Sequence, residues 1–302
     1  MLVLEYLISG LLFGATYSLV AIGFTLIFGV LNRLNIAHGA TIMVAAFAGA
    51  TISIRLGGAT SYAVLALAFA GSMLTGAVLG VLVRAVAFAP LREASPLAPF
   101  VTSAAVAIVI EESFLQLSRR VPFFSPEFTP FPSILENAAF NVGPILVRGA
   151  HVTMFVVACS IMGMLHWWIN KSRMGRAIRA VEENETAAWL LGINVRQVEI
   201  VVFAVASAVA GAAGCLIGMS MGTVNPFMGS GLLLTGFVII VLAGIGSLVG
   251  AMVCGLLVGV IEMTIVGTVS ASMKEAVLFV ILFAALVFRP QGLFAGPEAK
   301  RD

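Results

Sequence analysis

Three acidic side chains stand inside otherwise apolar stretches of this chain: Glu111, Glu112 and Glu262. A carboxylate in such a setting is costly, so it is expected to be paired with a cation, to meet a charged solute or to relay protons. Adjacent helical residues point about 100° apart, so Glu111 and Glu112 are not expected to face one pore together. Two further apolar stretches are interrupted by glycine and polar residues: Gly29 to Gly39, carrying Asn32, Asn35 and His38, and Gly244 to Gly250, carrying Ser247. Broken helices in a membrane offer free N-terminal N–H groups to a carboxylate and unwound carbonyls to a cation, the two ends of a zwitterion. On that reading Asn32, Asn35, His38, Gly39, Glu111 and Asn225 line a solute path; the alternative is ordinary turns, with His38 as a capping residue. Thr102, Ser103, Thr235 and Gly236 are further small candidates, although Ser and Thr in membrane helices more often bond back to their own helix.

The elements that hold these residues are apolar helices. Hydrophobic residues make up 61% of the 302 positions and charged ones 10%, with a mean hydropathy of +1.12, far outside the range of soluble domains. No charged side chain occurs from Ile200 to Ile261, enough for two or three helical crossings at roughly 20 residues each. The apolar runs are continuous and lack barrel-strand alternation, so the fold class is an all-α polytopic membrane protein with about eight or nine transmembrane helices, some short or broken. The spans read as Leu7–Phe28, Gly39–Ile54, Tyr62–Phe88, Pro99–Leu117, His151–Ile169, Glu199–Met219, Leu232–Gly246, Leu248–Val266 and Glu275–Phe288, within a single transmembrane domain over 1–302.

Placing the polar segment after the fifth span in the cytoplasm puts 11 of the 16 Lys and Arg residues on that side, namely Arg33, Arg84, Arg92, Lys171, Arg173, Arg176, Arg179, Arg196, Arg289, Lys300 and Arg301, as the positive-inside rule expects; the N-terminus is then external and the C-terminus cytoplasmic. The opening MLVLEYLISG has no basic n-region, so the first span is expected to stay as an anchor. Cys159, Cys215 and Cys254 form no CxxC pair and read as small buried side chains, and no spacing suggests a metal site or another cofactor. His151 and His166 fall near span ends. The basic residues follow topology and form no stripe for nucleic acid. There is no GxxxxGK[ST] phosphate loop, no HExxH and no nucleophile with a base, so the chain is not expected to be an enzyme, and any energy comes from a partner or an ion gradient.

The polar segment, GRAIRAVEENETAAWLLGINVRQV from Gly175 to Val198, is the least expected part of so apolar a chain. Its first half should be a wet helix with an Arg179–Glu183 pair at i,i+4. Its second half, Glu185 to Ile193, places Ala187, Ala188, Leu191 and Gly192 close together in a short helix before a turn at Asn194. Small residues there would let a groove of a soluble partner come to backbone distance; the alternative is an amphipathic helix on the headgroups. The external connection from Ser118 to Gly149 holds Pro122, Pro126, Pro130, Pro132 and Pro144, too closely spaced for one helix, and is either a partner contact or a solvated connector.

The same segment resembles the cytoplasmic coupling loop of ABC importer permeases, whose consensus is Glu-Ala-Ala, three residues, then Gly. Here the register reads Thr186-Ala187-Ala188, Trp189-Leu190-Leu191, Gly192, with Glu185 one place early. The run GATYSLVAIGFTLIFGVLNRLNIAHGA, with Asn35-Ile36-Ala37-His38-Gly39, the run Val241 to Ser247 and the ending Phe288 to Phe294 are similar to the LivH-type branched-chain amino acid permeases, in order along the whole chain. That resemblance implies a permease subunit in the cytoplasmic (inner) membrane of a prokaryote, with a coupling loop at about 170–198 and an external loop at about 118–149. It implies a LivM-type second permease, two cytoplasmic ATPase subunits and an external solute-binding protein as partners, with membrane lipid around them. Glu185, Ala187, Ala188 and Gly192 would be the ATPase-coupling residues. The acidic Glu111–Glu112 pair departs from the neutral amides of that region in the family, which leaves urea, amides or another small organic solute as alternatives to a hydrophobic amino acid. An ion-coupled secondary transporter, with Glu111, Glu112 or Glu262 carrying protons, is the competing class.

Overall fold

Inside a bilayer the backbone must satisfy its own hydrogen bonds, and long apolar runs therefore become helices. The computed structural model describes residues 2–57, 61–91, 95, 97–120, 129–132, 139–142 and 145–294. The helices are α1 (Leu2–Leu31), α2 (Ala37–Arg55), α3 (Tyr62–Val83), α4 (Leu97–Arg120), α5 (Gly149–Lys171), α6 (Arg173–Glu183), α7 (Glu185–Leu190), α8 (Val195–Met221), α9 (Met228–Ala243), α10 (Leu248–Thr268) and α11 (Lys274–Phe288). Among the described residues, eight stretches are long and apolar enough to cross a membrane, and α9 is a shorter apolar helix, which matches the eight or nine elements expected. The α3 span continues through a π-helical turn, Arg84–Phe88, and a 3-10 turn, Ala89–Leu91.

Where it is described, the long connection before α5 carries short strands, in keeping with prolines too closely spaced for one helix. β1 (Thr129–Pro130) pairs antiparallel with β4 (Thr223–Val224), and β2 (Ala139–Val142) pairs with β3 (Ile145–Arg148). Pro122, Pro126 and Pro144 lie outside the described residues, as do Arg92, Lys300 and Arg301 of the charge count.

Burial orders the bundle: α1, α2 and α8 are 83%, 72% and 72% buried over their most apolar windows, whereas α4 and α11 are 11% and 6% buried. The first three are therefore the centre, and the last two present most of their surface outward. Small residues bring the central backbones together, as van der Waals packing between membrane helices demands. Gly10 and Gly14 of α1 face Gly255 and Gly259 of α10, and Gly76 and Gly80 of α3 meet Ser207 and Gly211 of α8. A side chain at any of these would drive into the neighbouring backbone.

The chain after α11 folds back on the bundle. Leu293 N–H donates to the Leu242 carbonyl at 2.8 Å and Phe294 N–H to that of Ala243 at 2.9 Å, satisfying carbonyls that the end of a helix leaves unpaired. Gly244 and Gly292 touch backbone to backbone there with φ of +93° and +87°, a combination that favours glycine on both strands of the contact.

Candidate functional site

The polar segment between α5 and α8 is divided by three capping side chains. Ser172 accepts from Gly175 N–H at 2.9 Å, Asn184 from Ala187 N–H at 2.9 Å, and Asn194 from Gln197 N–H at 3.1 Å. Each supplies the acceptor that a helix start lacks, so α6, α7 and α8 begin at fixed places. Arg179 turns away from the expected Glu183 and donates to the Ile169 carbonyl at 2.5 Å and to Asn170 Oδ1 at 3.3 Å. The end of α5 offers unpaired carbonyls, and these outcompete a solvated surface ion pair of small net worth.

Within α7 the register sorts the predicted coupling residues. Ala188 is 2% exposed and packs inward, whereas Glu185 and Ala187 are exposed. Gly192 closes the helix at φ +83°, with its N–H on the Trp189 carbonyl and that of Ile193 on the Ala188 carbonyl. The outward surface belongs to Trp189, Leu190 and Leu191, which are 66%, 71% and 81% exposed. Of these, the sequence places Leu191 in the short helix but assigns Trp189 and Leu190 no role; their signal is a run of large apolar side chains in a polar segment. A concavity of about 680 Å³ beside them is lined by Glu185, Thr186, Trp189, Gly192, Asn194 and Arg196.

Two polar contacts tie this end to the bundle. Arg84, at the head of the π-helical turn after α3, donates through Nη2 and Nε to Glu199 Oε2 of α8 at 2.6 and 3.1 Å. That pair is buried and borders a cavity of about 360 Å³ that Arg33, Arg196 and Glu185 also line. On the other side, the Glu182 carboxylate of α6 lies against Gly29 of α1 and near Gly246 of the α9–α10 turn, in a crevice of about 320 Å³ that includes Asn32. Burial pushes the Glu182 carboxyl above the ordinary carboxylate value; Glu183 adds to the shift and Arg179 opposes it. Asn32, at φ +50°, ends α1 here, apart from His38.

His38 and Gly39 lie much deeper. The His38 ring packs tilted, at 58°, against Phe24 with centroids 4.6 Å apart and sits against Gly23 of α1 and close to Ala206 of α8. Gly23 is eight residues before the end of α1, a depth of about 12 Å at 1.5 Å per residue. The segment after Asn32 therefore re-enters the bundle, and α2 begins inside it. Ile36 N–H donates to Ser103 Oγ of α4 at 3.2 Å. Gly39 touches the backbone of Gly229, in the first turn of α9. That helix is also short, 16 residues or about 24 Å, less than the roughly 30 Å hydrocarbon core. Two helix N-termini thus meet within the bundle, with no acidic residue in either first turn and no side-chain cap at either start. Oδ1 of Asn35 is buried without a hydrogen-bond partner among the described residues, and the buried His38 ring faces the Val20 backbone of α1. Asn225 shapes the entry to α9, accepting from Phe227 N–H at 3.0 Å.

Glu111 and Glu112 both line one small cavity of about 110 Å³ with Ile108, Leu115, Pro226 and Phe227. The cavity straddles the shoulder of α4, so residues 100° apart both reach its wall. Glu112 also accepts from Gln116 Nε2 at 2.9 Å. Glu262 is internal, 3% exposed, and its Oε1 accepts from Tyr17 OH at 2.8 Å and Lys274 Nζ at 2.6 Å. It joins α1, α10 and α11. Thr102 and Thr235 bond back to Ala98 and Gly231 of their own helices, as membrane threonines do.

A family model described as the permease component of branched-chain amino acid transport systems matches residues 6–286. The chain belongs to this family. It is a permease component, embedded in the membrane through its apolar helices. Among curated relatives, this permease is 32% identical over 301 residues to the high-affinity branched-chain amino acid transport system permease protein BraD of Pseudomonas aeruginosa, covering 99% of this chain and 97% of that one. It is 31% identical over 308 residues to the LivH permease protein of Escherichia coli K12, with the same coverage. Among solved structures, the permease shares its fold with a chain of PsaBC from Streptococcus pneumoniae in complex with Fab, at a TM-score of 0.50 and 13% identity over 94% of this chain and 91% of that chain.

Proposed function

We propose that this permease is the translocating subunit of an ATP-driven importer for branched-chain or other apolar amino acids, and that α7 is where an ATPase subunit docks. The observation that carries the docking role is the exposed Trp189–Leu191 surface on a helix capped by Asn184 at its start and closed by the Gly192 turn at its end. Large apolar side chains at the water-facing end of a membrane protein favour burial by a partner. The partners are two cytoplasmic ATPases, a LivM-type second permease and an external solute-binding protein, assembled in the inner membrane of a prokaryote. The abutting N-termini of α2 and α9, beside His38 and Asn35, favour a path that receives the solute carboxylate. The Glu111–Glu112 cavity, with Ile108, Leu115 and Phe227 around it, suits an ammonium beside an apolar side chain.

The test is uptake of labelled leucine into vesicles holding this permease with the products of its neighbouring genes, driven either by ATP or by an imposed proton gradient. ATP-dependent, ionophore-resistant uptake that requires the binding protein is the expected result. Uptake driven by the gradient without ATP would overturn the docking role of α7. Competition by isoleucine and valine, against urea and short amides, assigns the solute class.

A further inference from the structure

The Arg84–Glu199 pair closes the inner ends of α3 and α8, yet those helices do not need it for adhesion. Gly76, Gly80 and Gly211 already hold them backbone to backbone, with Ser207 wedged between. A buried ion pair is also a weak adhesive, since its desolvation cost offsets much of its attraction, and apolar replacements of similar volume are often as stable. Its position is more informative than its strength. Glu199 lies one turn into α8, directly after the α7 turn; Arg84 heads a π-helical turn, a departure from regular helix that is frequent at functional positions. The same cavity is lined by Glu185, the first residue of α7, by Arg196 of α8 and by Arg33 of the α1–α2 connection. Three guanidinium groups and two carboxylates from four separate elements therefore surround one open space.

We propose that this cluster, centred on Arg84 and Glu199, is the transmission joint that converts displacement of α7 into movement of the α3–α8 unit and of the α1–α2 connection. The proposal rests on α7 being the ATPase docking helix. α7 packs chiefly on α6 and also meets α8, so a push on it reaches the spans both through α6 and through the first turn of α8. The ion pair fixes the angle of that turn against α3, and the cavity leaves room for the arginines to exchange partners between Glu185 and Glu199 as the angle changes. Arg84 and Glu199 are positioning residues: they touch neither nucleotide nor solute.

The experiment uses the complete transporter in proteoliposomes and reads solute imported per ATP hydrolysed. The double variant Arg84→Met/Glu199→Leu removes both charges together, so no buried charge is stranded. The expected result is an assembled complex that still hydrolyses ATP but imports about tenfold less solute per ATP, within the usual span of coupling between sites. A wild-type ratio in that variant overturns the proposal. Arg196→Gln, at an exposed position, guards against failure to assemble: it should lower the ratio about threefold, and an unchanged ratio there counts equally against the joint. Leu191→Asp separates this idea from the reading beneath it. If Leu191→Asp leaves ATPase association and coupling intact, the docking role of α7 fails; if it uncouples while the Arg84, Glu199 and Arg196 variants do not, the joint alone fails.

Discussion

The two ends of the bundle each hold a buried ion pair, and they are built differently. At the end opposite α7, Glu262 is 3% exposed, bonded to Tyr17 and Lys274, and flanked by the glycine seam where Gly10 and Gly14 press on α10. At the α7 end, Arg84 and Glu199 border a cavity of about 360 Å³, and Glu182 stands in a crevice of about 320 Å³. Close-packed interiors transmit strain but do not rearrange gradually, whereas space beside a charge cluster permits alternative pairings. The contrast points to one end as clasp and the other as moving part.

Four measurements break or sharpen that contrast. The largest effect is expected at the seam: Gly14→Leu places a side chain against the Leu256 backbone, and overpacking with no room to relax should cost about 3 kcal/mol, read as loss of monodisperse protein. Next, Glu262→Ala strands Lys274 and Tyr17 and should cost about 3 kcal/mol, the low end for a broken buried pair because Lys274 is partly exposed. Its melting temperature should fall while solute imported per ATP stays unchanged; uncoupling by this variant would erase the distinction between the ends. Third, Trp189→Ala should change stability by less than about 0.5 kcal/mol, as exposed positions do, yet weaken capture of the ATPase in a pull-down. The smallest effect concerns Glu182. Its folded pKa is raised, so the native state holds the proton more tightly than the unfolded chain, and stability falls as pH rises from the unfolded carboxyl pKa through the folded one. Above that window the charged form carries the full penalty. Glu182→Gln should therefore melt slightly higher than wild type at neutral pH, with the difference vanishing in acid; a lower melting temperature at neutral pH would mean the carboxylate is favourably paired.

Span number and most span positions were legible because long apolar runs have few alternatives in a bilayer. The break at Asn32–Gly39 was legible as a break, from its glycines and asparagines, but its depth was not. Only the contacts of His38 with Gly23 and Phe24, and of Gly39 with Gly229, show that α2 starts inside the bundle. The short α7 was legible from its register, yet which side it presents depends on how Ala188 packs beneath it. Arg84 and Glu199 were read as a topology marker and a span boundary; a pair 115 residues apart leaves no local pattern. The seam residues did carry a local signal, glycines four apart on both α1 and α10, which a search for small-xxx-small spacing would have found.

The hydrogen bonds from Leu293 and Phe294 to the end of α9 have a consequence for biosynthesis. A chain made at roughly 5–20 residues per second delivers α9 to the membrane well before the segment that completes its last turn. Until residues 289–294 have emerged, the Leu242 and Ala243 carbonyls lack these partners and Gly244 lacks the Gly292 backbone against it. Closure of this end of the bundle therefore waits on residues that follow α11, whereas the seam of α1 with α10 needs only helices made earlier in synthesis.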